Sequence, residues 1–529
     1  MKKHFRLLAV LLMVTMLFSL AACADSGSDD PKDTSAPNAA DTSGDAASTD
    51  TGSGNDGTAA GTDAAVTDAP DAPYYLDTLT DQRFDGTTFT MIAENTEQRH
   101  NFDNDTVTGD TINDAIYNRK IAIEDRYGIT IETVSMATRG KCNTEVKNKV
   151  LANDDLYDLV FNAVATGGMK GLATNGYMAE LSELPYLDLT RSHWSQNFVN
   201  NMTINDKLFF VAGGASPSYY LSAVVMLFNT EKAVDYQLPD LYKLVEDGKW
   251  TVDKLGELLI QSTHDLDGDN IYQPTNDFIG LVQTIEAGNS YFIAAGGNMI
   301  NKKADGSYAL ELGNAQSIEL MDKLRLVCGD TKTTLAIDAE GVTGLGNTKE
   351  TKIGLFVDGH AMFATTAMMF AAQELRDMKS YGILPLPKLN EAQKEYITPC
   401  NPYAPCGAGI PRSASDLELS ALVMEAMAFL GEEIIRPAVY DVTLQGKIAQ
   451  DEQSARVLEL VYSDIYFDLN HCFDFGKSTQ LLRSYIVGDD GNSLIVNRGF
   501  TSSYKVLEKI AGIEMNDFID TINKLNASN

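Results

Sequence analysis

The sequence predicts an α/β protein built as two lobes. Three observations carry this. At 529 residues the chain is too long for a single hydrophobic core. From residue 87 it alternates short apolar, β-branched runs with helical patterns, the layout of a largely parallel sheet covered by helices. Residues 206–229 place two apolar and aromatic runs, 206–212 and 221–229, on either side of a Gly/Ser/Pro segment that carries Tyr219 and Tyr220. The runs read as buried strands and the segment between them as a turn. We expect this stretch to cross between the lobes with both tyrosines facing the cleft; an ordinary core hairpin is the other reading.

The elements follow in order. Residues 87–93 form a first strand that runs into the polar Glu94 and Asn95. Residues 110–127 read as a helix, because Ile112, Ile116, Ile123 and Tyr127 share a face and Gly128 stops it. A strand at 129–134, a helix through Val146 and Val150, and a buried strand at 156–161 ending in Asn162 complete the unit. Ligands gather beyond the carboxyl ends of strands in such sheets, which places Glu94, Asn95 and Asn162 near a candidate site. The last third is mainly helical, with amphipathic runs at 417–430, 454–462 and 504–525.

Composition narrows the class. The chain is 44% hydrophobic and 22% charged, as a globular protein is, and its net charge of -33 argues against a nucleic-acid partner. Lys2, Lys3 and Arg6 precede an apolar run at 7–20, a signal-peptide layout too short for a good membrane span. That run ends Leu20-Ala21-Ala22-Cys23, which resembles the bacterial lipobox and implies lipid on Cys23. Residues 24–73 contain no aromatic residue and consist of Ala, Asp, Ser, Thr, Gly and Pro almost throughout, so they read as a disordered acidic tether. The expected organisation is a signal peptide at 1–22, a lipidated tether at 23–75 and a folded domain at 76–529. In that domain lobe 1 takes roughly 85–205 plus a later segment. Lobe 2 takes roughly 230–355 plus C-terminal helices.

A family resemblance rests on motifs in sequence order. Asp155-Leu156-Tyr157-Asp158-Leu159-Val160 is followed by Leu172, Asn175-Gly176-Tyr177-Met178 and Leu181. Trp194, Asp206-Lys207-Leu208-Phe209, Leu227-Phe228-Asn229 and Gly248-Lys249-Trp250-Thr251 come next, the last with Thr251 as an N-cap. Phe356-Val357-Asp358-Gly359, Tyr381-Gly382-Ile383 and Gly409-Ile410-Pro411 complete the series. Together these resemble the extracellular solute-binding lipoproteins of bacterial ABC importers, sugar-type branch. The resemblance implies a periplasmic-binding-protein-like (class II) clamp with discontinuous lobes and a hinge. It implies capture of a sugar or oligosaccharide for import, a permease partner and a monomer held by lipid at the outer face of a cell membrane, with a Gram-positive envelope suggested by the tether. Aromatic rings at Trp194, Tyr219, Tyr220 or Tyr403 suit sugar C–H faces. Glu94, Asn95, Asn162 and Thr365 suit hydroxyls, Thr365 lying near an expected helix start within 358–378. An oligopeptide-binding lipoprotein and a secreted carbohydrate-active enzyme are the alternatives.

Little in the chain points to catalysis. It has no His-Glu-x-x-His, and Gly214-Ala215-Ser216-Pro217-Ser218 lacks the second glycine of a nucleophile elbow. No cofactor is required. Asp265, Asp267 and Asp269, with Asp277 beyond them, form either a structural calcium loop or a solvated acidic turn. Cys400 and Cys406 are either a disulfide or two thiols.

Overall fold

The computed structural model describes residues 74–95, 102–165, 167–269, 272, 276–339, 342, 353–375, 378, 380–445, 452–463, 465–488 and 499–525. The signal run, Cys23 and most of the tether lie outside the described residues. No helix among those described is long and apolar enough to cross a membrane.

Lobe 1 opens with β1 (Thr87–Glu94), β2 (Ile129–Met136) and β3 (Leu159–Ala163). The chain then crosses into lobe 2. There it forms β4 (Val224–Asn229), β5 (Ile279–Gln283), the hairpin β6 (Ile300–Lys302) and β7 (Tyr308–Leu310), β8 (Thr334–Ala336), β9 (Ala361–Ala367) and β10 (Tyr381–Leu384). It returns through β11 (Thr398–Pro399) to β12 (Cys406–Gly409) and later supplies β13 (Ile465–Tyr466). The first sheet has the order β12-β3-β1-β2 and the second β10-β4-β9-β5-β8. β1 pairs in parallel with β2 and β3, and only the returning β12 is antiparallel. In the second sheet β5 is parallel to β8 and β9, while β4 and β10 run against their neighbours. The second sheet therefore takes in strands up to Leu384, beyond the boundary near 355 that the sequence suggested.

Local chemistry explains the elements. Asp110 caps the helix Thr111–Tyr127 by accepting from the Asn113 N–H at 3.0 Å, and Gly128 ends it at φ 72°. Thr251 caps the helix Val252–Ser262 through the Lys254 N–H. Asp158 takes the Thr90 N–H at 2.8 Å and gives its own N–H to the Thr90 carbonyl, buttoning the chain before β3 to β1. Burial raises its carboxyl to about 6. β4 and β9 are buried along their whole length, and alternate residues serve two different cores. Val225 and Leu227 join the core that continues into lobe 1. Val224, Met226 and Phe228 join the core around Trp250 and Phe292. The closing helix Phe500–Lys524 belongs to both, with Phe500, Tyr504 and Leu507 in the second core and Ala511, Met515 and Phe518 in the first.

Three segments lie side by side where the lobes join. Ala223 bridges Cys400, and the Asn401 N–H donates to the Ser222 carbonyl at 2.9 Å. β11 in turn pairs in parallel with β13. The first crossing differs in part from expectation. The run at 206–212 is buried from Leu208 onward but forms no ladder, only single bridges from Val211 to Ala408 and from Gly213 to Trp194. A tight turn at Asn205 and Asp206, both at positive φ, folds Lys207 back on Ile204 and stops any longer pairing there. Pro217, preset for a first helical position, starts the short helix Pro217–Tyr220 in place of a plain turn.

Candidate functional site

The carboxyl end of β1 delivers Glu94, which is fully buried. Arg139, at the start of the helix after β2, reaches toward it with Nε 3.9 Å from Oε1. The same guanidinium lies 5.5 Å from the Tyr403 ring centroid and donates to the Tyr403 carbonyl at 3.3 Å. Tyr403 sits on the returning loop between β11 and β12 and is 41% exposed. Its ring is a platform on the hinge loop, held from one side by a cation.

A second group collects after β5 in lobe 2. Glu286 precedes the helix Ala287–Ala294 and pairs with Arg483 of the helix Ser478–Ile486. Gly288 permits this pairing: a Cβ there would lie 2.7 Å from the Arg483 Cα, so only glycine lets the helices approach so closely. Asn289 is fully buried and donates to Glu286 Oε1 at 3.4 Å, while its own Oδ1 has no hydrogen-bond partner among the described residues. His471 Nε2 lies 3.8 Å from the same Glu286 oxygen and is likewise without a hydrogen bond. A buried polar atom left without a partner costs about 1–3 kcal/mol, a cost that a bound water or a ligand hydroxyl offsets. The charge of Asp474 acts on both Tyr403 and His471.

Burial lowers His471 from an ordinary 6.5 to about 4, against the pull of Asp468 and Asp474. The unfolded chain then binds the proton more readily than the folded one between those values. The stability that a neutral His471 contributes is complete above pH 6.5 and is lost as pH falls toward 4. Urea midpoints measured from pH 7 to pH 4.5 should fall, and His471→Gln should flatten that fall. An unchanged slope in the variant would assign it to other groups.

The remaining residues singled out from sequence are placed as follows. Asn95 follows Glu94 and donates its N–H to the Met136 carbonyl at 2.7 Å. Asn162 is buried and uses its amide on the Arg139 carbonyl, on Asn143 and on the Ala163 N–H. Trp194 is 1% exposed, and its indole donates to Glu425 at 2.8 Å. Tyr220 is 4% exposed, whereas Tyr219 is half-buried and stacks on Phe467 at the hinge, 6.3 Å between centroids. Thr365 lies within β9, not at a helix start, and shares a 2.6 Å hydrogen bond with the Tyr291 hydroxyl. The structure thus links Glu94 and Tyr403 through Arg139, leaves Asn95 next to Glu94 in the chain, and gives Trp194, Asn162, Tyr220 and Thr365 packing or bonding tasks. Cys400 and Cys406 are separate buried thiols, because one is bridged to Ala223 in the hinge and the other sits opposite Ala163 in the first sheet. Carboxylate oxygens of Asp265, Asp267 and Asp269 lie within 4.8 Å of one another. Asp277 is buried and spends an oxygen on the Leu266 N–H.

Arg139, Glu286, Asn289, His471 and Arg483 were not anticipated. The signal for Glu286 was present: Thr284-Ile285-Glu286 follows the apolar run 279–282, and the strand-end rule applies to it equally. Arg483 reaches the site through the packing of the helix Ser478–Ile486 against the helix Ala287–Ala294, and His471 through the short helix Leu469–Phe473 after β13, neither of which a local pattern announces.

The sequence matches no protein-family model and no curated protein. Its fold does match solved structures. An ABC substrate-binding protein of Listeria monocytogenes in complex with cycloalternan aligns over 82% of this chain and 100% of its own, with 12% identity and a TM-score of 0.51. UspC of M. tuberculosis aligns over 80% of this chain and 99% of its own, with 13% identity and a TM-score of 0.52. A cyclo/maltodextrin-binding protein complexed with maltotetraose aligns over 82% and 99%, with 12% identity and a TM-score of 0.51. The class of fold is therefore the two-lobed α/β clamp of substrate-binding proteins, and the expectation of such a clamp holds.

Proposed function

We propose that this chain captures an extracellular sugar or oligosaccharide for an ABC importer and leaves its covalent bonds untouched. The observation that carries the proposal is the buried corner at Glu286 on a two-lobed scaffold, where Asn289 Oδ1 and His471 Nε2 have no hydrogen-bond partner among the described residues. Carboxylates and amides accept and donate to hydroxyls, and an exposed ring such as Tyr403 packs on the apolar face of a pyranose. Contact with both lobes at once would favour the closed form over the open one, because only the closed form offers both sets of groups. Two of the similar structures hold glycans, cycloalternan and maltotetraose, which supports a sugar as the ligand class here. The proposal includes a lipid on Cys23 that moors the domain outside the cytoplasmic membrane, and a permease that receives the loaded, monomeric form.

A thermal-shift screen of the full chain against mono- and oligosaccharides, with peptides alongside, tests this. A ligand at a hundred times its dissociation constant adds about 2.7 kcal/mol of stability, which such a screen resolves easily. One class of glycan should raise the melting temperature and be recovered intact. Tyr403→Ala should weaken that ligand about tenfold, the loss of roughly 1.4 kcal/mol of ring contact. A shift from peptides alone, or a sugar returned hydrolysed, would sink the proposal.

A further inference from the structure

A separate cavity of about 700 Å3 opens where Tyr75, Arg191, Phe429, Glu432, Arg436 and Tyr440 converge. None of these residues belongs to the group around Glu94, Tyr403 and Glu286. The size falls within the roughly 300–1,000 Å3 typical of small-ligand sites. Its walls are held in place from behind. The buried Glu425 accepts from the Tyr75 hydroxyl at 2.7 Å and bonds His193 Nε2 at 2.7 Å, which fixes two lining side chains. One wall is the π-helical turn Gly431–Ile435, which contributes Glu432 and Glu433. Such turns are rare and are found mostly at functional sites.

The polar groups of this cavity are already matched in charge. Arg191 pairs with Asp188 at 3.0 Å and lies over the Tyr75 ring at 4.4 Å. Arg436 pairs with Glu459 at 2.9 Å, contacts Glu432 at 3.5 Å and lies over the Tyr440 ring at 5.5 Å. One face of the Tyr75 ring and one of the Tyr440 ring are thus covered by the protein's own guanidinium groups, which would also repel an organic cation. An anion would meet Glu432, Glu433 and Glu459. What remains is a mixture of N–H donors, carboxylate acceptors and apolar ring surface. A hydroxyl both donates and accepts, so it is the ligand group that suits such a mixture.

We propose that this cavity is a second binding site, for a neutral polyhydroxylated ligand of about the size of one or two pyranose rings. Tyr75 and Phe429 pack on the first core, and Glu459 lies on the helix Glu452–Ser463, which sends Leu458, Val461 and Tyr462 into that core and Val457 into the second. The proposal does not depend on what binds beside Tyr403.

Three probes share one ring and differ in charge: methyl glucoside, glucosamine and glucuronate. Saturation-transfer NMR on the full chain carrying Tyr403→Ala, which weakens the interlobe site, should give a signal from methyl glucoside. Adding Arg191→Ala or Tyr440→Ala should each reduce that signal by about threefold or more, as expected for one lost hydrogen-bonding or stacking group. Arg191 has a side chain 51% exposed, so its removal is not expected to threaten folding, and a melting curve checks each variant. No signal from methyl glucoside, a signal from a charged probe alone, or a signal indifferent to both substitutions would overturn the proposal.

Discussion

Replacing Glu425 with alanine is expected to destabilise the protein by about 3–5 kcal/mol, the range for stripping one member from a buried charged network. Its carboxylate is fully buried and gathers the Tyr75 hydroxyl, His193 Nε2, the Trp194 indole and the Asp188 N–H, at 2.7, 2.7, 2.8 and 3.3 Å. These partners come from the entry to the domain and from the segment before the first crossing, so one side chain ties distant parts of lobe 1 together. Without it the buried Trp194 indole and His193 Nε2 lose their acceptor, which costs more than the missing attraction itself, while Tyr75 and Asp188, half-buried, can turn to water. Glu425→Gln keeps an acceptor oxygen and should lose less than the alanine variant. Urea denaturation followed by tryptophan fluorescence measures both, since Trp194 is one of only two tryptophans. A loss below about 1 kcal/mol for the alanine variant would mean that water replaces the carboxylate without strain.

Gly431→Ala is the second large effect. A Cβ on Gly431 would lie 1.9 Å from the Gly214 carbonyl oxygen, and one on Gly214 would lie 2.4 Å from the Ala428 carbonyl oxygen. Both obstacles are backbone, so no side chain can turn aside to make room. The cost should reach or exceed the upper end of the about 1–3 kcal/mol usual for overpacking. Arg119 reinforces the same contact, donating to the carbonyls of Gly214 and Ala215 at 3.2 and 2.9 Å. The first crossing is thus pinned to lobe 1 as far as Ala215. The variant should show a lower melting temperature and, if it folds, an altered ligand affinity. A melting temperature equal to that of the parent chain would contradict the backbone contact.

Much of the architecture was legible because it is written in local patterns. The helix Thr111–Tyr127 announced its face through Ile116 and Ile123 and its end through Gly128, and Leu159-Val160-Phe161 announced the strand that begins at Leu159, three residues later than the run from 156 suggested. The fate of Trp194 was not legible. Its partner, Glu425, lies 231 residues away, and nothing in either neighbourhood marks the pairing. Thr365 misled for a related reason: its run of small and apolar residues is consistent with a helix or a central strand, and the neighbours β4 and β5 decide the matter. The stretch 206–229 does carry one of the segments that join the lobes, yet the groups that gather beside it come from three crossings, only one of which has a signature of its own.

The long closing helix has a mechanical consequence. A stiff rod of 25 residues, roughly 37 Å long, rests one end on each half of the molecule. Two bodies that share such a rod cannot simply be pulled apart, since that would peel one end from its seat and expose Phe518 or Tyr504 to water. Any relative motion of the two halves that keeps both seats must therefore turn about an axis close to the rod.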